Sequence, residues 1–412
     1  MQHVVIVGAG IVGISAGLWL RRMTEARVTV IDRLGPGEGT SHGNAGVLAA
    51  CGMVPVTVPG LVGKAPGMLA DRESAVFLRW AYLPRLLPWL VRYLSHAADG
   101  QTRRIAGGLA PIVTDTVAQH RALAAGTPAE RYLVPCDYVH AYPGRAAWRA
   151  DAYGWALRRE AGFEPELIEG EAVQEYDPAL DRALRLIAVL RDHGHVRDPG
   201  GYVRALAEAF RGMGGEVRRT ELKDIRLEAG RIAAVETADG AIPCDRAVIA
   251  TGAWSAPWMK KLGIAVPLET ERGYHIVFEG AEGGPAQPTM ISTGKFVATP
   301  MEGGLRCAGL LEFGGLAAGP SAGPLALIRR QVTRAFPRLT WRSEVEWLGH
   351  RPATTDSLPL IGEAGQSGVF AAFGHHHVGL TGGPKTGRLV AGLVSGQPPN
   401  LDLAPYAPGR FA

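Results

Sequence analysis

Apolar positions along the chain fall into runs whose spacing predicts alternating strands and helices. Val4 to Val7 is an uninterrupted apolar run, the pattern of a strand buried on both faces. It leads into Gly8-x-Gly10-x-x-Gly13, a helical stretch, and a second apolar strand, Val28 to Ile31, ending in Asp32. Residues 193–225 return to this logic. Asp198-Pro199 marks a helix start, Val203, Leu206, Ala207 and Phe210 share one helical stripe, and Gly214-Gly215 precedes a strand. Residues 227–249 alternate around Ala229-Gly230 and Asp239-Gly240, which predicts short strands joined by tight turns. Ala247 to Ala250 predicts another buried strand, closed by Thr251-Gly252-Ala253-Trp254. Residues 268–314 read as β-rich. Val369 to Phe373 predicts a strand, then a turn holding His375, His376 and His377, then a helix from about Leu380.

Residues 74–98 carry Trp, Leu and Tyr interrupted by Arg79, Arg85 and Arg92. The pattern predicts two short amphipathic helices broken at Pro84 and Pro88. Such a segment either packs on its own domain or lies on a membrane surface, and packing is the commoner outcome.

The first 32 residues also carry chemistry. Gly8 permits a tight turn, Gly10 lets a pyrophosphate approach the backbone, and Gly13 lets the helix pack close to the sheet. The helix N-terminus offers free N–H groups and a positive dipole end. Asp32 stands about 20 residues beyond, where an acid accepts hydrogen bonds from ribose hydroxyls. An acid there disfavours a 2′-phosphate, so the dinucleotide is FAD or NAD. The following loop is rich in glycine. Thr40, Ser41 and Asn44 offer short polar groups, and Gly43 and Gly46 allow close backbone approach.

Composition narrows the function. A chain of 412 residues fits two domains sharing a crevice. A net charge of +4 with no basic block makes nucleic acid an unexpected partner. The four cysteines are scattered without a CxxC pair, so no zinc, iron–sulfur or disulfide framework is expected, which fits a reducing compartment. The expected location is cytoplasmic, with peripheral contact on the inner face of the membrane as an option. The chain opens on a strand rather than a signal helix, and it has no uncharged apolar run of about 18 residues. Three adjacent histidines cannot converge on one ion, so no metal is expected. Arg272-Gly273-Tyr274-His275 either carries polar groups into the crevice or lies on an exposed sheet edge.

VVIVGAGIVGISAGLWL…VTVIDR, GTSHGNAGVLA, ATGAWS, ERGYHIV, GHRPATTDSLPLIG and FGHHHVGLTGGPKTGRLVAGLVSG together resemble the D-amino acid oxidase/dehydrogenase superfamily of FAD enzymes. Within it the similarity leans to bacterial D-amino acid dehydrogenases. The resemblance implies an α/β chain: a discontinuous Rossmann-like FAD-binding domain from residues 1–50, 150–267 and 345–412, and an α+β substrate-binding domain with a large mixed or antiparallel sheet from 51–149 and 268–344. It implies non-covalent FAD held by Gly8, Ala9, Gly10, Ile11, Val12 and Gly13, with Asp32 and Arg33. Thr40, Ser41, Asn44, Ala45 and Gly46 would surround the pyrophosphate and flavin. Leu222 would meet the adenine, and Thr251 and Gly252 would approach the cofactor. Gly374, His375, His377, Val378, Gly379, Leu380 and Thr381 would face the flavin's pyrimidine edge.

The family's carboxylate-binding arginine falls on Arg351, with Tyr274 as a second donor and His375 or His377 near the substrate. The HHH run departs from the family's usual spacing, so the resemblance does not choose among His375, His376 and His377. The implied reaction is oxidative deamination of a D-amino acid to a 2-oxo acid and ammonia, by hydride transfer from the α-carbon to flavin N5. No general base is implied. Electrons would pass to a quinone or other non-oxygen acceptor, since few of the chain's lysines fall where one could stabilise superoxide, Lys295 being the candidate. Cyclic or N-alkyl amino acids (D-hydroxyproline, D-proline, sarcosine, glycine) form the alternative substrate class. A non-catalytic electron-transfer subunit is the alternative of another kind.

Overall fold

The computed structural model describes residues 1–71 and 73–411. A six-stranded sheet carries the dinucleotide motif. Its order is Leu360–Glu363, Val369–Phe373, Arg246–Ile249, His3–Val7, Arg27–Asp32 and Glu216–Arg219. All neighbours pair in parallel except the first two. The apolar run at Val4–Val7 is explained by its central place. Val4 and Ile6 face a core shared with the helices Ile11–Met23, Pro199–Gly212 and Gly379–Val394. Val5 and Val7 face the opposite core, which is closed by the three-stranded sheet Leu222–Glu228, Arg231–Thr237 and Gly240–Pro243.

The first and last long helices cross closely because the last one is bare there. A Cβ on Gly383 would come 3.0 Å from Ile11, and one on Gly387 would come 2.5 Å from Ser15. This clamps the two helix N-termini side by side.

The second, ten-stranded sheet includes Ser343–Thr354, Leu268–Glu279, Gly304–Phe313, Phe296–Met301, Thr289–Ile291, Leu133–Tyr142 and Leu186–Val196 in that order. One face packs on the helix Ala322–Ala335; the other roofs a crevice against the dinucleotide sheet. Strand parity decides which residues face where. Along Leu268–Glu279, Tyr274, Ile276 and Phe278 point to the helix-side core, which leaves Glu271, Gly273 and His275 for the crevice face.

Two features differ from the sequence expectation. Leu186–Val196 belongs to the larger sheet, and Glu166–Glu169 pairs with it, although both fall in the span 150–267 given to the FAD-binding domain. Conversely, the helices Asp99–Val113 and Thr116–Ala124 bury Ile105, Leu109, Ile112 and Leu123 in the core around Ile14. Strand period identifies a buried face, not the sheet it joins. The segment 74–98 is also not two broken helices. It forms a short strand, Val76–Leu78, beside Gly304–Phe313, then a 3-10 turn and one continuous helix, Leu83–Leu94. Pro84 sits in the first turn, where no N–H is required. Leu86, Trp89 and Tyr93 pack against Phe313 and Ala353, while Leu87 and Val91 stay 50% and 60% exposed. Among the described residues no helix is long and apolar enough to cross a membrane.

Candidate active site

One cavity of about 790 Å³ runs between the two sheets, from Gly8 and Asp32 to Arg351 and His377. Its dinucleotide end is built by glycines. Gly8 adopts φ +113, and a Cβ there would lie 2.4 Å from the Ala250 carbonyl oxygen; a Cβ on Gly13 would lie 1.9 Å from the Gly8 oxygen. Only bare backbone closes that turn. The Asp32 carboxylate accepts from the Ala9 N–H (2.7 Å) and the Leu34 N–H (2.9 Å), which fixes it at the cavity edge with lone pairs to spare. Ser41 Oγ accepts from the Ile11 N–H at the helix N-terminus (3.0 Å). Arg33 lies over the Trp254 ring, 4.3 Å from its centroid.

Of the residues expected at a cofactor, Gly8, Gly10, Ile11, Val12, Asp32 and Arg33 line the cavity. So do Thr40, Ser41, Asn44 and Ala45, then Leu222, Thr251 and Gly252, and His375 and His377 through Thr381. Ala9, Gly13, Gly46 and Gly374 stand behind the wall and shape it. The bare cradle, the helix N-termini and the ribose-side acid fit a dinucleotide.

The glycine-rich loop is pinned by Arg306 and Trp347, which the sequence reading missed, and by His275, which it placed either in the crevice or on a sheet edge. Buried Arg306 donates to the carbonyls of His42 and Asn44, both at 2.8 Å. His275 Nδ1 lies 3.0 Å from the Gly43 carbonyl, and its ring stacks on Trp347 at 5.1 Å.

At the other end, Ser343–Thr354 pairs with Leu268–Glu279 so that Arg351 stands opposite Glu271 and Gly349 opposite Gly273. Residues directly opposite share a face, so Arg351 reaches the crevice. Its side chain crosses Gly273 and donates to the carbonyl of Gly309 (2.7 Å) and, more weakly, of Leu310 (3.4 Å). Burial lowers the Arg351 guanidinium, and the Glu271 charge opposes that.

Glu271 is 2% exposed. Its carboxylate lies 2.7 Å from His376 Nε2, and it accepts from the Tyr93 hydroxyl at 3.5 Å. Burial pushes the Glu271 carboxyl up, but His376, Arg351 and His377 together hold it below its usual value. Sequence reading missed Glu271 and Tyr93, and left His376 undecided among the three histidines. The signal that finds Glu271 is cross-strand register, which no local pattern supplies.

The three histidines separate as their backbone dictates. His376 takes the left-handed conformation, φ +55, a strain on the order of 1–3 kcal/mol, and this turns its neighbours apart. His375 Nε2 lies 2.8 Å from Thr386 Oγ1 behind the wall. His376 Nδ1 lies 2.8 Å from His377 Nδ1. His377 alone keeps an exposed ring, and that ring faces the cavity. Protein nonetheless surrounds it, and burial, reinforced by His376, lowers it to about 3. Burial lowers His375 to about 4.

Tyr274, expected as a second carboxylate donor, borders the cavity, but its hydroxyl is engaged by protein groups. Its hydroxyl donates to Glu312 (2.7 Å) and accepts from the Ser321 N–H (3.0 Å), on the helix side of the sheet. Glu312 also meets buried Arg272 at 3.0 Å. Strand parity puts Tyr274 out of step with Glu271 and Gly273. Lys295 lines the cavity, and so does Cys51, whose thiol is raised by burial.

A family model described as DAO, FAD dependent oxidoreductase, matches residues 3–393. A D-amino-acid oxidase from Bradyrhizobium diazoefficiens is 38% identical, with 100% of this chain and 99% of that protein aligned. A D-amino acid dehydrogenase from Methylobacterium radiotolerans is 30% identical over 100% of both chains. The crystal structure of glycine oxidase from Geobacillus kaustophilus superposes with a TM-score of 0.72 at 23% identity, over 100% of this chain and 99% of the other, a likeness of fold.

Proposed function

The chain belongs to the DAO family of FAD-dependent oxidoreductases, and on that premise we propose that it oxidises a D-amino acid to the 2-oxo acid and ammonia. Its cofactor is FAD. When bound, FAD supplies the acceptor for a hydride and its electron pair. Gly8, Gly10, Asp32 and the N-terminus of Gly379–Val394 are the groups that would hold it.

The observation that carries the reading is Arg351, a guanidinium laid across Gly273 in the same cavity as the glycine cradle. An Arg fork holds a carboxylate at two points and so fixes the substrate's roll as well as its position. Glu271 sits opposite Arg351 and balances its charge before substrate arrives. A protein that only relays electrons has no use for such an anchor. The neutral ring of His377 adds no positive charge beside the substrate amine. Orientation is the chain's main contribution, since the reacting atoms must approach to about 3–3.5 Å. The names of the aligned relatives support the D configuration.

For the electrons we propose a quinone or other non-oxygen acceptor. Trp80, Leu87 and Val91 form an exposed apolar edge flanked by exposed Arg85 and Arg92. Such an edge suits peripheral contact with an anionic bilayer, where quinone is dissolved. Oxygen is the second reading. Lys295 in the cavity wall favours it, as does the oxidase name of the 38% identical relative.

Anaerobic mixing with D-, L- and N-alkyl amino acids tests the substrate class: D-amino acids should bleach the yellow flavin, and bleaching by L- or N-alkyl amino acids alone would overturn the reading. Stopped-flow reoxidation tests the acceptor. A soluble quinone should outpace air-saturated buffer, whereas fast reoxidation with stoichiometric peroxide would make the protein an oxidase.

A further inference from the structure

We propose that the end of the cavity away from Arg351 is a second anion subsite, so that the preferred amino acid carries a side-chain carboxylate. The inference rests on the amino acid reading above.

Arg158, Tyr138 and His140 line that end, and Lys295, whose backbone stands beside Gly309, lines the cavity close enough for its charge to act on His140. They come from the helix Ala152–Glu160, the strand Leu133–Tyr142 and the turn before Phe296–Met301. Among the described residues no carboxylate pairs with Arg158 or Lys295. The Arg158 guanidinium lies over the Trp155 ring at 4.8 Å, and its Nε is buried without a hydrogen-bond partner. His140 is 5% exposed, and its Nε2 is likewise buried and unpartnered. Carboxylates that line the cavity stand elsewhere: Asp32 and Glu221 at the dinucleotide end, Glu271 beside Arg351. Arg158 is half-buried beside the Cys51 thiol and Lys295 is exposed, so neither charge is sealed in protein; buried polar atoms such as Arg158 Nε and His140 Nε2, however, are normally paired. Here the partner has to come from inside the cavity.

The stretch between the two cationic ends is apolar, floored by Met290, Val297, Ala308 and Leu310. Arg351 is tied to the strand Gly304–Phe313 through Gly309. Three strand steps separate that strand from Leu133–Tyr142, about 14 Å at ordinary strand spacing. Side chains leaning in from both sides shorten the gap. An amino acid whose second carboxylate sits several bonds from the α-carbon spans it, its methylenes resting on the apolar floor.

The test uses the FAD-loaded enzyme with D-glutamate and its isosteric amide, D-glutamine. The expected result is a kcat/KM at least about tenfold higher for D-glutamate. Arg158→Met should erase that preference by lowering D-glutamate far more than D-glutamine, and Arg158→Lys should restore part of it. Equal use of the two substrates by the unsubstituted enzyme overturns the subsite. So does an Arg158→Met enzyme that loses both substrates equally with a shifted flavin spectrum, which would put Arg158 against the cofactor. If no D-amino acid bleaches the flavin, the fault lies with the D-amino acid reading. Turnover of D-glutamine and D-alanine without preference for D-glutamate faults the subsite alone.

Discussion

Arg351 lies across Gly273 so closely that a Cβ on Gly273 would come 2.5 Å from the Arg351 Nη2. The glycine's missing side chain is therefore what lets the guanidinium lie flat on the sheet and reach Gly309. Gly273→Ala should lift Arg351 off its carbonyl anchors without touching the dinucleotide cradle. A displacement of about 1 Å in a substrate clamp costs on the order of 10²-fold in kcat/KM. Steady-state kinetics beside flavin content would check this: normal flavin with kinetics like the parent would mean the clamp tolerates the shift.

Arg351→Ala should keep FAD and lose about 2–5 kcal/mol of substrate binding. Arg351→Lys should recover only part, because an ammonium cannot reproduce the planar fork. Saturation curves for the preferred D-amino acid read both, and unchanged saturation by Arg351→Ala removes the anchor.

Tyr274→Phe is expected to act on stability rather than on substrate. It deletes the donor to buried Glu312, a loss of about 1–3 kcal/mol. Thermal or denaturant unfolding should register it while KM stays near the parent value. A large KM change with unchanged stability would return Tyr274 to the substrate.

FAD should come away on acid precipitation, leaving the yellow colour in the supernatant. Cys51 lines the cavity, but burial keeps it in the thiol form, the weaker nucleophile. Colour retained in the pellet would point to a covalent bond, and a peptide map would place it.

Acid should destabilise the fold in a defined window. Burial lowers His120 and His375 to about 4 from an ordinary 6.5. The unfolded chain therefore binds more protons between those values, and stability rises with pH there. The stabilisation is complete above about pH 6.5 and is lost progressively as pH falls toward 4, each residue contributing on the order of 3 kcal/mol. Denaturant titrations from pH 7 to 4 read the slope. A flat profile would mean these rings titrate normally.

Much of this site is legible along the chain because its cofactor half is local. Gly8 to Gly13, Asp32 and the turn before Gly379 each advertise themselves by spacing within one strand–turn–helix unit. The substrate half is not local. Glu271 stands opposite Arg351, 80 positions along the chain, and the partners of the Tyr274 hydroxyl follow from the parity of its strand. Arg158 enters from a helix with no motif at all. Register and the side of a sheet are properties of pairing, and pairing is decided by the finished core.

The dinucleotide sheet has a consequence for how the protein is made. Its strand Val369–Phe373 pairs with Arg246–Ile249, which pairs with His3–Val7. His3–Val7 is made well before Val369–Phe373, so the sheet stays unfinished on that side until the later strand arrives. Ordering such distant partners is slow, and the partly built sheet leaves apolar edges open to aggregation. The cavity is lined from both sides of the seam, by Gly8 and by Phe373, so FAD bound there would act as the clasp that ends that exposure. Yield of folded protein should accordingly track flavin supply during synthesis more steeply than flavin added afterwards.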